Sequence, residues 1–261
     1  MLACAGARAI SAVPASRPSV IPRFFVPSPL AAGRELALPS AAAHHAARVL
    51  RLKRGDAVTL FDGEGGEYAA EIRGATNRAV DVVVTERRAV ERESPLRVTL
   101  VQALIAAERM DYAIQKAVEL GASAIAPVGT ARGVPRLEGE RARRRVEHWR
   151  AIAIAACEQC GRNRLPEVHA PTELAAWLRQ PASAPIRLML APSAGEALPR
   201  AIPGQKVELL VGPEGGFTAE EEGAAATAGF RAVRLGPRIL RAETAGPAML
   251  AALNALWGDW R

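Results

Sequence analysis

Two short loops near the C-terminus hold the residues best suited to chemistry. The first, Gly212-Pro213-Glu214-Gly215-Gly216-Phe217-Thr218, ends an apolar run from Val207 to Val211 that only Glu208 interrupts. The second, Gly236-Pro237-Arg238-Ile239-Leu240-Arg241-Ala242-Glu243-Thr244, follows Leu235. Glycines lack a Cβ and let a ligand approach the backbone, and a helix start exposes N–H groups towards it. Thr218 with Glu221 reads as a capping box, so a helix begins directly after the first loop. Arg238 and Arg241 add bidentate donors, and Glu214 and Glu243 add carboxylates. That set can stabilise developing negative charge or accept a proton. It can equally form structural ion pairs between the same arginines and glutamates. Neither G-x-x-x-x-G-K-[ST] nor G-x-G-x-x-G occurs, which weakens ATPase and ordinary dinucleotide readings.

Cys157-Glu158-Gln159-Cys160, flanked by His148 and His169, is the other constellation with chemical potential. Structural zinc sites space their ligands more tightly. The cysteines also sit in an Ala- and Ile-rich helical pattern, where small buried cysteines are common. No metal is therefore expected. With only 3 cysteines, a disulfide framework is unsupported and a reducing cytoplasm fits.

The loops need a scaffold, and the bulk properties bound it. The chain has 261 residues, 49% of them hydrophobic and 23% charged, enough for two ordinary domains and too apolar for disorder. No apolar run is long enough to cross a membrane. A net charge of +7 favours an anionic partner such as nucleic acid. Only Lys53, Lys116 and Lys206 are lysine among the 34 basic residues, so a GC-rich coding bias accounts for part of that charge. Residues 1–22 are rich in Ala, Ser, Arg and Pro and are expected to form a disordered extension.

Residues 23–93 look β-rich, with a strand at Arg23–Val26 and a helix over Ser40–Leu50 that has Ser40 as N-cap. Strands at Asp56–Phe61, Glu67–Arg73 and Ala79–Thr85 are separated by Gly-rich turns and suggest a small barrel. The charged stretch Glu86–Pro95 is read as a linker. Beyond it, strands and helices alternate. Strands are expected at Arg97–Ile105, Ala122–Val128, Ile186–Leu190, Val207–Val211 and Ala232–Leu235. Helices are expected at Glu108–Leu120, Gly139–Cys160, Thr172–Arg179, Ala219–Ala228 and Thr244–Trp257. This predicts a mostly parallel α/β sheet over 94–261, with ligands at the carboxyl ends of its strands, where both loops fall.

The same residues resemble a known family, the RsmE-type 16S ribosomal RNA uridine-N3 methyltransferases of the SPOUT (α/β-knot) superfamily. The resemblance runs from Arg23 to Trp260. It includes His45–Gly55, Glu108-Arg109-Met110-Asp111 through Gly121, Thr130-Ala131-Arg132, Trp149–Val168 and both C-terminal loops. It implies a PUA-like RNA-binding barrel at the N-terminus, a SPOUT domain with a trefoil knot, S-adenosylmethionine as cofactor and a cytoplasmic homodimer. It also implies 16S rRNA of the small ribosomal subunit as substrate. Gly246 stands where the family more often has Ala or Thr, and Ala191 where it often has His.

On this basis Leu190, Gly212, Pro213, Glu214, Gly215 and Gly216 are expected to hold the cofactor, together with Leu235, Gly236, Ile239 and Leu240. Arg238, Arg241, Glu243, Thr244 and Glu214 are the candidates for catalysis. Uracil N3 is protonated at neutral pH, and an ordinary glutamate (pKa about 4.3) is a weak base for it, so charge stabilisation by arginine is the easier route. RNA docking is expected at Arg23, Arg48, Arg51, Lys53, Arg132, Arg162 and Arg164. Arg141, Arg143, Arg144 and Arg145 read as a solvated helix face. Two alternatives remain: an RNA-binding protein that keeps the fold without catalysis, and a related knot methyltransferase acting on ribose or tRNA.

Overall fold

The computed structural model describes residues 21–27, 29–76, 79–195, 198 and 204–260. The extension expected at the N-terminus lies outside the described residues up to residue 20. The first sheet is built from β1 (Arg23–Phe25), β2 (Glu35–Ala37), β3 (Ala57–Phe61), β4 (Glu67–Ala75) and β5 (Val80–Arg88). Its strand order is β1-β3-β4-β5-β2, with β1 parallel to β3 and every other pairing antiparallel. In β5, Val80, Val82 and Val84 are buried on one face, while on the other Asp81 and Thr85 are exposed and Val83 is buried between them. Helix α1 (Ser40–His44) adds Ala42 and Ala43 to the same apolar cluster as Phe24, Leu60 and Ile72.

The helix expected over Ser40–Leu50 is modified at both ends. Pro39 occupies the N-cap position and Ser40 is already helical, with no side-chain cap bond. From His45 to Val49 the chain widens into a π-turn, closed by Leu50 N–H donating to the His45 carbonyl at 3.0 Å. Arg51 follows with φ 54°, the only non-glycine in the left-handed region among the described residues. That conformation lets the Leu52 N–H turn back to the Ala46 carbonyl at 2.9 Å.

The second sheet is the parallel one. It uses β6 (Arg97–Ala103), β7 (Ala122–Gly129), β8 (Glu167–Val168), β9 (Thr172–Glu173), β10 (Ile186–Leu190), β11 (Lys206–Val211) and β12 (Arg231–Val233). Its order is β12-β10-β11-β6-β7-β8, with β9 also on β7. The helices are α2 (Ala107–Glu119), α3 (Gly139–Cys160), α4 (Leu174–Leu178), α5 (Ala219–Thr227) and α6 (Ala242–Trp257). One core holds Val207, Leu209 and Val211 of β11 with Met249 and Leu250 of α6, and the other holds Leu210 with Ala225 of α5 and Phe230. Burial on both faces explains why these strands read as continuous apolar runs.

Several boundaries differ from expectation. β5 runs on to Arg88 by pairing with Glu67–Ala69, so the stretch Glu86–Pro95 expected as a linker begins as strand. Thr172 and Glu173 pair with Val128 and Gly129 as strand, so only Leu174–Leu178 is helical. The last strand ends at Val233, which frees Leu235 to turn away from the sheet. The short strands β2 and β8 carry too few residues to show a period.

The joint between the sheets is polar and made where α3 stops. Gly161 takes φ 89° as the left-handed cap of α3, and Arg162, Asn163 and Arg164 follow it between the sheets. Arg162, expected at an RNA surface, is instead buried. Its guanidinium donates to both Glu93 oxygens and to the carbonyls of Val118 and Ala122, each of the latter at 2.9 Å. Arg23, also expected to meet RNA, is turned inward onto Glu67 at 2.7 Å and Asn163 at 2.5 Å. Arg92 shares the same Glu67 oxygen at 2.9 Å. Arg164 is exposed and pairs with Glu91 at 3.2 Å on the edge of this joint. The sequence shows that these residues are basic but not that a helix end delivers them to an interior.

Two predictions follow from the joint. Arg162→Ala strands a carboxylate and two carbonyls and should cost about 3 kcal/mol in urea unfolding. A residue that only met RNA would lose RNA affinity with no stability change. Burial pushes the Glu67 carboxyl up, but Arg92 and Arg23 outweigh it and hold it below the ordinary value of 4.5. The stability from Glu67 is therefore full above pH 4.5 and lost as pH falls through the lowered folded value. In Glu67→Gln, the acid limb of the stability profile should flatten in that window.

Candidate functional site

At the carboxyl end of β11 the chain turns through Gly212–Phe217, closed by Gly216 N–H donating to the Pro213 carbonyl at 2.9 Å. Thr218 then caps α5 as expected: its Oγ1 accepts from Glu221 N–H at 3.2 Å, and its own N–H donates to Glu221 Oε2 at 2.9 Å. The other Glu221 oxygen accepts from Ala131 N–H at 2.8 Å, tying the loop after β7 to the turn. Arg132, expected to meet RNA, donates instead to the carbonyls of Gly215 and Phe217 at 3.1 and 3.2 Å. It therefore fixes the turn's shape.

The second loop leaves β12 at Val233, passes through Gly236 at φ 69°, and ends where Arg241 becomes the N-cap of α6. The two loops enclose a cavity of about 460 Å³. Its apolar wall comes from Leu190, Val211, Phe217, Val233, Leu235 and Leu240, and bare backbone from Gly212 and Gly236. Of the residues expected at a cofactor, Pro213, Glu214, Gly216 and Ile239 line it too. Gly215 packs against Arg132 instead, its missing Cβ falling 3.1 Å from that of Arg132.

Arg238 and Arg241 both line the cavity and are exposed. Among the described residues neither has a carboxylate partner, so the ion pairs that the sequence allowed with Glu214 and Glu243 do not form. Both glutamates are approached by Arg109 from the first turn of α2, at 2.8 Å to Glu214 and 3.9 Å to Glu243. Glu243 Oε2 is buried with no hydrogen-bond partner among the described residues. Glu243 and Thr244, in the first turn of α6, both lie outside the lining.

Arg109 is the residue that sequence reasoning passed over. It begins the helix after β6, whose carboxyl end adjoins that of β11, and this strand-end position was the available signal. Two departures from the family pattern also find places. Ala191 lines the cavity and is buried. A Cβ on Gly246 would lie 3.2 Å from Leu100 Cδ1, so glycine lets α6 sit close to β6.

Cys157 is fully buried in the main core. Its Sγ lies 3.7 Å from the Arg164 carbonyl, and burial pushes its thiol up to about 12. His148 contacts Asp111 at 2.8 Å and His169 contacts Glu167 at 3.3 Å, so the flanking histidines have separate partners. Among the expected RNA contacts, Arg48, Arg51 and Lys53 are exposed and make no side-chain pair with any described residue.

Comparison with known proteins agrees with this geometry. A family model described as an RNA methyltransferase domain matches residues 92–254, and one described as an RNA methyltransferase PUA domain matches 38–85. Ribosomal RNA small subunit methyltransferase E of Buchnera aphidicola is 32% identical over 92% of this chain and 98% of its own length. The Bacillus subtilis protein of the same name is 31% identical over 81% of this chain and 86% of its own. Among solved structures, the Neisseria gonorrhoeae enzyme of that name, bound to S-adenosyl methionine, superposes with TM-score 0.88 at 39% identity, covering 93% of this chain and all of that one. A Legionella pneumophila methyltransferase with bound SAM gives 0.87 at 37% identity, covering 92% and 99%.

The glycine requirement is testable without ligand. A Cβ on Gly212 would lie 3.0 Å from the ring of Phe217, which is buried in the second core. Gly212→Ala should therefore cost about 1–2 kcal/mol in thermal unfolding. Gly223 in exposed α5 has open space around it, so Gly223→Ala should instead add up to about 1 kcal/mol. Equal effects at the two sites would remove the close-approach argument for the first loop.

Proposed function

The chain belongs to the RNA methyltransferase family, among the ribosomal RNA small subunit methyltransferase E proteins; on that premise we propose that it methylates N3 of a uridine in 16S rRNA, using S-adenosylmethionine. The observation that carries the reading is a glycine-backed cavity at the strand ends with two unpaired arginines at its rim. RNA docking is assigned to residues 23–93 and methyl transfer to residues 94–261. We further take the enzyme to be a cytoplasmic homodimer. Exposed Tyr112, Ile239, Leu256 and Trp260 all lie on the methyltransferase part, where a second subunit would cover apolar surface.

The residues present suit the cofactor. A flat heterocycle needs apolar faces and edge hydrogen bonds, and aliphatic walls with bare Gly212 and Gly236 backbone offer both. Leu190, Leu235 and Leu240 would hold it from the sides, and Pro213, Gly216 and Ile239 would complete its surroundings. S-adenosylmethionine, when bound, supplies a methyl group made electrophilic by its sulfonium. The chain's task is to present uracil N3 without its proton. Arg238 and Arg241, held by no carboxylate, can donate to the uracil oxygens on which the anion's charge develops. Glu214 is engaged by Arg109. Of the two candidate carboxylates only Glu214 lines the cavity, so it is the one within reach of an N3 proton, while Glu243 lies behind the wall with one oxygen buried and unpartnered among the described residues.

The deciding measurement is nucleoside mass spectrometry on small-subunit rRNA lacking the modification, after incubation with isotopically labelled S-adenosylmethionine. Labelled 3-methyluridine is expected. Label on another nucleoside would discard the N3 assignment, and RNA binding without label would leave a non-catalytic RNA-binding protein. Arg238→Ala should lower turnover by about 10²–10³ while calorimetric cofactor affinity holds. Normal turnover in that variant would end the catalytic role of Arg238.

A further inference from the structure

The corner after α1 exposes two consecutive aliphatic side chains, Val49 at 62% and Leu50 at 40%. The fold could have hidden them. Leu52, two residues on, tucks against the apolar core of the first sheet. The π-turn at His45–Val49 and the left-handed Arg51 are the two irregularities that set this corner's direction. Unfavourable backbone of this kind persists where surrounding structure holds it, and it clusters at functional sites. Arg48, Arg51, Lys53 and Arg54 are exposed around the pair, and none has an acidic side-chain partner among the described residues. Asp56, the nearest acid in sequence, accepts from the Lys53 backbone N–H at 2.7 Å.

We propose that Val49 and Leu50 form an apolar wedge that packs against unstacked bases of the RNA substrate, while Arg48, Arg51, Lys53 and Arg54 hold the flanking phosphates. The proposal rests on the reading of the chain as an rRNA methyltransferase and names the contact by which its first domain grips RNA. A second protein copy or an apolar peptide fits the corner poorly, because four uncompensated cations would be desolvated with it. RNA offers both components together, an anionic backbone and splayed bases. Aliphatic wedges between base steps are an established means of nucleic-acid recognition. With aromatics at only 4% of the chain, aliphatic contact takes the part that stacking plays elsewhere.

The test compares three variants of the full-length protein by affinity for a small-subunit rRNA fragment across a salt series. Cofactor titration, methylation kinetics and sedimentation run in parallel. Val49 and Leu50 are exposed, so the double variant V49S/L50S should fold normally. It is expected to bind RNA about tenfold more weakly with an unchanged salt slope, because the lost contact is apolar. Glycine takes the left-handed conformation freely, so Arg51→Gly keeps the corner and removes only the side chain. It and Arg48→Ala should each lower the salt slope by about 0.7. All three should raise KM for RNA and leave kcat and cofactor affinity unchanged. Unaltered RNA affinity in V49S/L50S overturns the wedge, and so does a change in its sedimentation, which would assign the pair to a subunit contact. Absence of any methylation by the wild-type protein counts against the enzymatic reading instead, and the affinity series still decides the wedge.

Discussion

β12 is the edge strand of the parallel sheet, yet the helix that follows it packs on α2, β6 and β11 near the centre. The chain must therefore cross back over the carboxyl ends of β10 and β11 between Val233 and Ala242. This return passage is the constraint on which the site depends. It lays Gly236–Arg241 opposite Gly212–Phe217 and closes a cavity that neither loop would form alone. A Cβ at Gly246 would press on the Leu100 side chain at 3.2 Å, so α6 packs tightly on β6 at this point. Asn254, buried in α6, fastens the far end by donating to the Leu120 carbonyl at 2.8 Å and accepting from Ser94 at 2.7 Å.

The same logic of fixed ends governs the union of the two sheets. α3 stops at Gly161 in a left-handed cap, and the next two side chains, Arg162 and Asn163, fill the joint. Arg162 engages a carboxylate and two carbonyls, and Arg23 and Arg92 converge on one Glu67 oxygen. Such buried ions gain little over apolar packing, but they fix geometry because any displacement leaves a charge unpaired. Phe25 adds a directional bond, its backbone N–H donating to Glu158 at 3.0 Å, with burial pushing the Glu158 carboxyl up. The first sheet is thereby held at a set angle to the cavity-bearing one.

Legibility in the sequence followed the range of the forces involved. The capping box at Thr218 and Glu221 and the glycine end of α3 are local, and the structure builds both. The parallel sheet was readable because strands buried on both faces are apolar throughout, as in Val207–Val211. What failed to show was long-range charge pairing. Arg23, Arg132 and Arg162 look like RNA ligands in sequence, but acceptors far along the chain claim them: Glu67, the carbonyls of Gly215 and Phe217, and Glu93. Arg109 stayed hidden for the converse reason. Its partners lie more than a hundred residues on: Glu214 meets it because β6 and β11 are neighbours in the sheet, and Glu243 because the return crossing brings α6 back to α2.

That exchange of partners changes the chemistry of the rim. Had Arg238 and Arg241 paired with the glutamates, their donors would have been saturated and Arg109 left free instead. Arg109 takes up the carboxylates from the opposite side, and Arg234, Arg238 and Arg241 remain on the second loop facing the space. The mouth therefore carries an excess of guanidinium. Such an excess favours anionic ligands at a distance, and donors already in position need no reorganisation when charge appears. A protein that only bound RNA would gain from cations spread over its surface and would have no use for a glycine-backed cavity beneath them. The same crossing that closes the cavity therefore also sets Arg238 and Arg241 at its rim.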